Sequence, residues 1–186
     1  MVRIRTSRLI LSSATFEQLT ADLHGGHKLA AVLAAHVPET WPPDLYDAGA
    51  VRFALDGLRG QGPDFPWGFY YLLLQVPDAV PTLIGAGGFK GPPDEEGQVE
   101  IGYAVLPEFR RNGYAAEAVR AWIHFAFSHG AVARVVAQTL SSLPPSIRVA
   151  ESAGMRFAGV GADAGAPAEE EVLRYEITRA DFESER

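Results

Sequence analysis

At 186 residues, 47% of them hydrophobic, the chain is long enough for one domain with a substantial core, residues 1–186, and too short for two comfortable ones. A formal net charge of −7 argues against broad attraction to nucleic acid or anionic lipid and mildly favours cationic partners. The absence of cysteine excludes a disulfide framework, a thiolate metal site and any route through an acyl-cysteine intermediate.

The opening Met-Val-Arg-Ile-Arg-Thr lacks the apolar core of a signal peptide, and the longest apolar runs, such as Phe69 to Leu74, fall far short of a membrane span. A soluble, cytoplasmic protein is expected. Arg8 to Leu11 reads as a strand, and Thr15 with Gln18 three residues on marks a capped helix start. Leu29 to Ala35 and Ala48 to Leu58 read as helices, separated by a proline-broken connection, Val37 to Asp44, that should be exposed. After a Gly/Pro-rich turn from Gly60 to Gly68, Phe69–Val76 and Thr82–Phe89 are strand candidates, and Lys90 to Gly97 turns the chain again.

Next comes the most informative stretch. Val99, Ile101, Tyr103 and Val105 alternate with Glu100, Gly102, Ala104 and Leu106, the period of a strand with one bulky face and one small face around a carboxylate. Pro107 ends it, and Arg110-Arg111-Asn112-Gly113-Tyr114-Ala115 leads into a helix with Ala115, Ala118, Val119, Trp122 and Ala126 at helical spacing and Gly130 as its stop. A basic loop feeding a helix start can hold an anion such as a pyrophosphate, because free backbone N–H groups and the positive end of the helix dipole converge there. Further on, Ala133–Thr139 reads as a β-branched strand, Pro144–Ser152 as a helix stopped by Gly154, and Met155–Val160 and Val172–Thr178 as closing strands around a mobile hairpin loop, Gly161 to Glu171.

Arg110-x-x-Gly113-x-Ala115, set between Glu100-Ile101-Gly102-Tyr103 and Glu117-Ala118, resembles the pattern of the GNAT superfamily of acetyl-CoA-dependent N-acetyltransferases. Within it, the stretch looks most like the branch of ribosomal-protein N-terminal acetyltransferases, RimJ and RimL, and their small-amine-modifying relatives. The resemblance runs from about Arg8 to Asp181. It implies an α+β fold: a mixed, mostly antiparallel sheet splayed at its fourth strand, with helices on both faces. Relatives often carry Gly where Arg111 sits, so Arg111 must accept that backbone geometry.

The resemblance also implies a chemistry. Acetyl-CoA is the cosubstrate, with no metal; Arg110, Arg111, Asn112, Gly113, Tyr114 and Ala115 hold its pyrophosphate, and the pantetheine arm lies along Tyr103, Ala104, Val105 and Leu106, whose backbone supplies the oxyanion donor. An amine must shed a proton before it attacks, and Glu100, next to the small residues Gly102 and Ala104, is the candidate base, directly or through a water. Its reference pKa of about 4.3 must then be raised by burial; the alternative is that Glu100 pairs with an arginine or orders the strand. The tyrosine that many relatives place after the fifth strand is missing here. Ser146 matches a serine that relatives keep, as cofactor contact and candidate acid, against the alternative of a helix-cap serine; Leu143 replaces the relatives' asparagine. Trp41 is a candidate for the acceptor pocket, or else packs. His24 and His27 read as surface residues rather than metal ligands, and Glu117, Arg120 and His124 as a solvated helix face.

The expected reaction is direct attack by an amine in a ternary complex. The acceptor is a protein N-terminus or a small molecule, a polyamine or aminoglycoside being the rival class; the non-enzyme rival is a CoA-binding sensor or scaffold. A homodimer is common among similar proteins.

Overall fold

In the computed structural model, which describes residues 1–44, 46–62, 64–161 and 170–184, the strands are β1 (Arg3–Arg5), β2 (Leu9–Ser13), β3 (Phe69–Leu74), β4 (Thr82–Phe89), β5 (Gln98–Val105), β6 (Arg134–Leu140), β7 (Arg156–Val160) and β8 (Val172–Thr178). They form one sheet in the order β1-β2-β3-β4-β5-β6-β8-β7. Every neighbouring pair is antiparallel except β5 and β6, which run parallel. A parallel pair needs a crossover, and α4 (Tyr114–Phe127) is that crossover. The other helices are α1 (Phe16–Asp22), α2 (Gly26–Leu33), α3 (Ala48–Leu58), α5 (Pro144–Ser152) and α6 (Arg179–Ser184).

The apolar residues fall into two cores, one on each face of the sheet. On one face α4 lays Ala118, Val119, Trp122 and Ala126 against Leu11, Leu72, Ile101 and Val135. Trp122 can lie flat there because Gly87 carries no side chain: a Cβ at that position would come within 2.6 Å of its ring. On the other face Leu19, Leu29 and Val51 of α1, α2 and α3 cover Tyr71, Leu73 and Leu83. Local signals start α1 and α3 where the sequence places them, while α2 begins at Gly26, three residues ahead of the expected Leu29. Thr15 and Gln18 form a reciprocal capping box for α1, and the Asp47 carboxylate accepts the Ala50 N–H at the start of α3.

The pairing of β5 with β6 is short. It runs from Gln98 opposite Arg134 to Ile101 opposite Ala137, after which β5 continues beside β4 as far as Val105 while β6 follows β8 to Leu140. The sheet therefore parts between two of its central strands. This is the splay expected at the fourth strand; the strand is the fifth here because Arg3–Arg5 adds a short edge strand that its alternating arginines disguise.

Two expectations need correction. The connection from Val37 to Asp44 is not simply exposed: Trp41 is only 8% exposed, and Tyr46, just beyond it, 7%. Its prolines break the helix but leave the aromatics free to turn inward. Glu117 does not sit on a solvated face either, since its side chain is only 11% exposed. Most of the loop expected between Gly161 and Glu171 lies outside the described residues.

Candidate active site

The split is lined by backbone. Lys90 N–H donates to the Glu100 carbonyl and Leu106 N–H to the Ile84 carbonyl, each at 2.9 Å, so the even-numbered residues of β5 turn their polar groups toward β4. Tyr103 and Val105 consequently turn theirs toward β6, where no strand pairs with them. Of the four residues expected along a cofactor arm, these two present amides to the gap. Ala104 spends its backbone on the β4 ladder, and Leu106 is fully buried, its carbonyl taken by the Phe109 N–H.

At the open end of the split the chain makes a single 3₁₀ turn, Pro107–Phe109, and then the basic loop. Arg111 has φ +63° and Gly113 φ +78°, both left-handed. This double reversal brings the loop round to the start of α4, whose cap at Gly113 makes no side-chain hydrogen bond. Among the described residues, no backbone N–H from Arg111 through Ala116 donates to another protein group, while the Asn112 side-chain amide donates back to the Phe109 and Arg110 carbonyls. Six consecutive amides at the positive end of a helix form a cradle for an anion.

The loop is clamped from both sides. Arg8, in the β1–β2 turn, donates from Nη1 to the Asn112 carbonyl at 2.9 Å, lies 4.6 Å over the Tyr114 ring, and pairs with Glu117 at 2.6 Å. Glu117 also accepts from the Ser7 hydroxyl and from the Thr6 hydroxyl. Burial alone would push the Glu117 carboxyl up, but the donors from Thr6, Arg8 and Ser7 outweigh it and hold it below the ordinary carboxylate range. On the other side Arg110 donates from Nε to the Val105 carbonyl at 2.9 Å and from Nη2 to Asp44 at 2.8 Å, while Thr40 donates to Glu108. Arg110 thus helps fix the shape of the loop.

Glu100 lies on the face opposite α4, one residue before the strands part. Its carboxylate meets Lys90 Nζ at 2.6 Å and accepts from the Gln138 amide at 3.2 Å. Across the split, the Tyr103 hydroxyl donates to the Ser146 carbonyl at 2.9 Å; burial raises the phenol above its usual range. Ser146 sits in the first turn of α5, while Leu143 is the cap residue. Trp41 donates its indole N–H to Asp22 at 2.7 Å, as do the Tyr46 hydroxyl at 2.7 Å and the Tyr71 hydroxyl at 3.0 Å. The indole is therefore committed to the packing of α1 against β3. Tyr46 and Tyr71 are both raised, first by burial; for Tyr71 the carboxylate comes next, and for Tyr46 the neighbouring Tyr71 and then the carboxylate.

Sequence reasoning missed Arg8, Glu117, Lys90 and Gln138 as site residues. Thr6-x-Arg8 and Glu117 carry no local signal, since they meet across more than a hundred residues; Lys90 facing Glu100 needed only the hairpin register. Among the described residues no three His, Cys, Asp or Glu side chains gather as a metal site, and His24 bonds Nδ1 to the Thr20 carbonyl instead.

A sheet parted beside a parallel crossover, with a basic amide loop at its open end, defines a protein of the acyl-CoA-dependent transferase type; the six unspent amides and the unpaired edge of β5 suit a diphosphate and an extended amide-bearing arm. Comparison with known proteins makes this specific. Residues 8–156 match the Acetyltransferase (GNAT) domain. The N-acetyltransferase YjdG of Bacillus subtilis (strain 168), itself uncharacterised, is 30% identical over 138 residues, covering 74% of this chain and 80% of its own. Among solved structures, a GNAT-family acetyltransferase of Bordetella pertussis shares 24% identity, with a TM-score of 0.64 and coverage of 95% and 99% of the two chains. RimL, a ribosomal L7/L12 α-N-protein acetyltransferase solved with coenzyme A, shares 18% identity, with a TM-score of 0.66 and coverage of 95% and 98%. The chain belongs to the GNAT acetyltransferase family, whose members transfer acetyl from acetyl-CoA to an amine. Among its described residues no helix is long and apolar enough to cross a membrane.

Proposed function

We propose that the chain, acting as one domain, transfers acetyl from acetyl-CoA to a primary amine by direct attack in a ternary complex. The observation that carries this is the run of unspent amides from Arg111 to Ala116 opening onto the unpaired edge of β5. Amides of Arg111, Asn112, Gly113, Tyr114 and Ala115 hold the diphosphate, with Arg110 setting the loop's course. Tyr103 and Val105 bond the pantetheine arm through their backbone, and one of these amides receives the developing oxyanion. Bound acetyl-CoA supplies an activated acyl carbon. Glu100 takes the acceptor's proton, directly or through water, on the face opposite α4. Ser146, with the Tyr103 hydroxyl on its carbonyl, borders the leaving-thiol end.

An acceptor protein N-terminus is the reading that the likeness to RimL favours, with a small amine as the alternative. An α-amine, with a pKa of about 8, needs less help from a base than a lysine-like amine at about 10. The test is thiol release from acetyl-CoA across N-terminal peptides, polyamines and aminoglycosides, alongside calorimetry with coenzyme A. Turnover with peptides and its loss in Glu100→Gln, with coenzyme A binding retained, are expected. Binding without turnover on any amine would replace the enzyme with a CoA-binding sensor, and absence of binding would remove the cofactor reading altogether.

A further inference from the structure

Only two lysines occur in the chain, Lys28 and Lys90; the other fourteen of its 16 basic residues are arginine. Lys90 follows β4 directly and donates its backbone N–H to the carbonyl of Glu100 on the neighbouring strand, so the two side chains project from the same rung. Nζ lies 2.6 Å from Glu100 Oε1. The end of the stem lies beside Gly102, the next residue of β5 on the same face: a Cβ placed there would lie 4.0 Å from Lys90 Cε. Gly102 is the first residue past the last rung between β5 and β6, at the closed end of the split. Glycine leaves this face of β5 beside the lysine free of a side chain.

From these positions we propose that Lys90 is an acetyl acceptor of the protein's own site, modified in cis. This rests on the acetyl-CoA reading above. An arm entering at residues 110–115 and running along β5 reaches the closed end after the four steps from Val105 to Ile101, about 13 Å at a rise of about 3.3 Å per residue. The Lys90 amine and the Glu100 carboxylate stand beside that end, on the side opposite α4. Glu100 accepts one proton from the ammonium and passes it to solvent. The freed nitrogen lone pair attacks the thioester carbon, the C–N bond forms, the C–S bond breaks, and the departing thiolate takes the second nitrogen proton. The products are Nε-acetyl-Lys90 and coenzyme A, with one proton released. The amide that results carries no charge, so Glu100 loses its ion-pair partner and is opened to the ammonium of an incoming acceptor. Self-acetylation is thereby a priming step: before it, Lys90 occupies the place at Glu100 that the acceptor's own cation would take.

The experiment incubates the full chain with acetyl-CoA and maps acetyl groups by intact mass and peptide mass spectrometry, with coenzyme A affinity measured separately by calorimetry. One acetyl group on Lys90 is expected, formed at a rate independent of protein concentration and blocked by excess coenzyme A. Glu100→Gln should slow it at least tenfold without changing coenzyme A affinity, and Lys90→Arg should abolish it. Exposed Lys28 on α2 reports background chemistry, and Lys28→Arg should change nothing. Acetylation of Lys28 as fast as Lys90 would overturn the proposal, as would an unmodified Lys90 in a protein that binds coenzyme A. Failure to bind coenzyme A at all would overturn the cofactor reading, and this proposal with it.

Discussion

Arg111 holds a left-handed backbone at φ +63° without being glycine, a conformation that costs an L-residue about 1–2 kcal/mol. Its place in the loop explains why that cost is tolerated: the turn at 111 and the one at Gly113 together aim the free amides outward. Arg111→Gly should therefore raise stability, by up to about 1 kcal/mol once the greater freedom of unfolded glycine is counted. The same variant should bind coenzyme A more weakly for want of a cation beside the amides. Urea unfolding and calorimetry on the same preparation check both halves. Glu117 gives a pH signature. Its folded pKa is depressed, so the unfolded chain binds the extra proton, and its stabilisation is present above the unfolded value of about 4.3 and lost as pH falls through the folded one. Glu117→Gln should remove that part of the acid limb in a stability-versus-pH series. Glu108 and Asp181, held low first by hydrogen bonds from Thr40 and Thr178 respectively, would keep the remainder.

At the level of elements, α1 ends on an acid, Asp22, at the pole of the helix where a negative charge is unfavourable. Three aromatic donors from β3 and from the connection ahead of α3 overcome this, and they fasten the helices of that face to the sheet. Asp22→Asn offers only one good acceptor to three donors and turns an N–H toward them. A loss of about 2–3 kcal/mol is expected from the charged hydrogen bonds it weakens, measurable as a lower urea midpoint with an unchanged slope. Strands and helices whose signals are local were readable in the sequence to within a residue or two: Ala48–Leu58, Pro144–Ser152 and Val172–Thr178 stand where spacing, prolines and glycines put them. The strand-loop-helix around Arg110 was readable for the same reason. Trp41 was not, because hydropathy cannot distinguish an aromatic lining a pocket from one whose N–H is held by a carboxylate on another helix. The partners of Glu100 and Glu117 were hidden because pairing depends on register and on a long-range turn, neither of which composition records.

For the molecule as a whole, the arrangement makes one loop answer to two regions. The β1–β2 turn grips it through Arg8, and the connection between α2 and α3 grips it through Asp44 and Thr40. Two chain segments far apart in sequence are thus tied to the segment 107–114, while α4 and the core beneath it anchor the loop's far end. The two hydrogen bonds that Arg110 donates, to the end of β5 and to Asp44, couple the loop to ligand binding. If an acceptor displaces the α2–α3 connection, it also perturbs the carbonyl that closes the mouth of the split, so the two ligands should show heterotropic linkage, each altering the other's affinity by the same factor. The Arg110–Asp44 bridge is solvent-exposed and worth no more than about 1 kcal/mol, which bounds that factor at roughly fivefold. A two-dimensional titration of coenzyme A against an amine should reveal it in the natural protein, and Asp44→Ala should make the two isotherms independent.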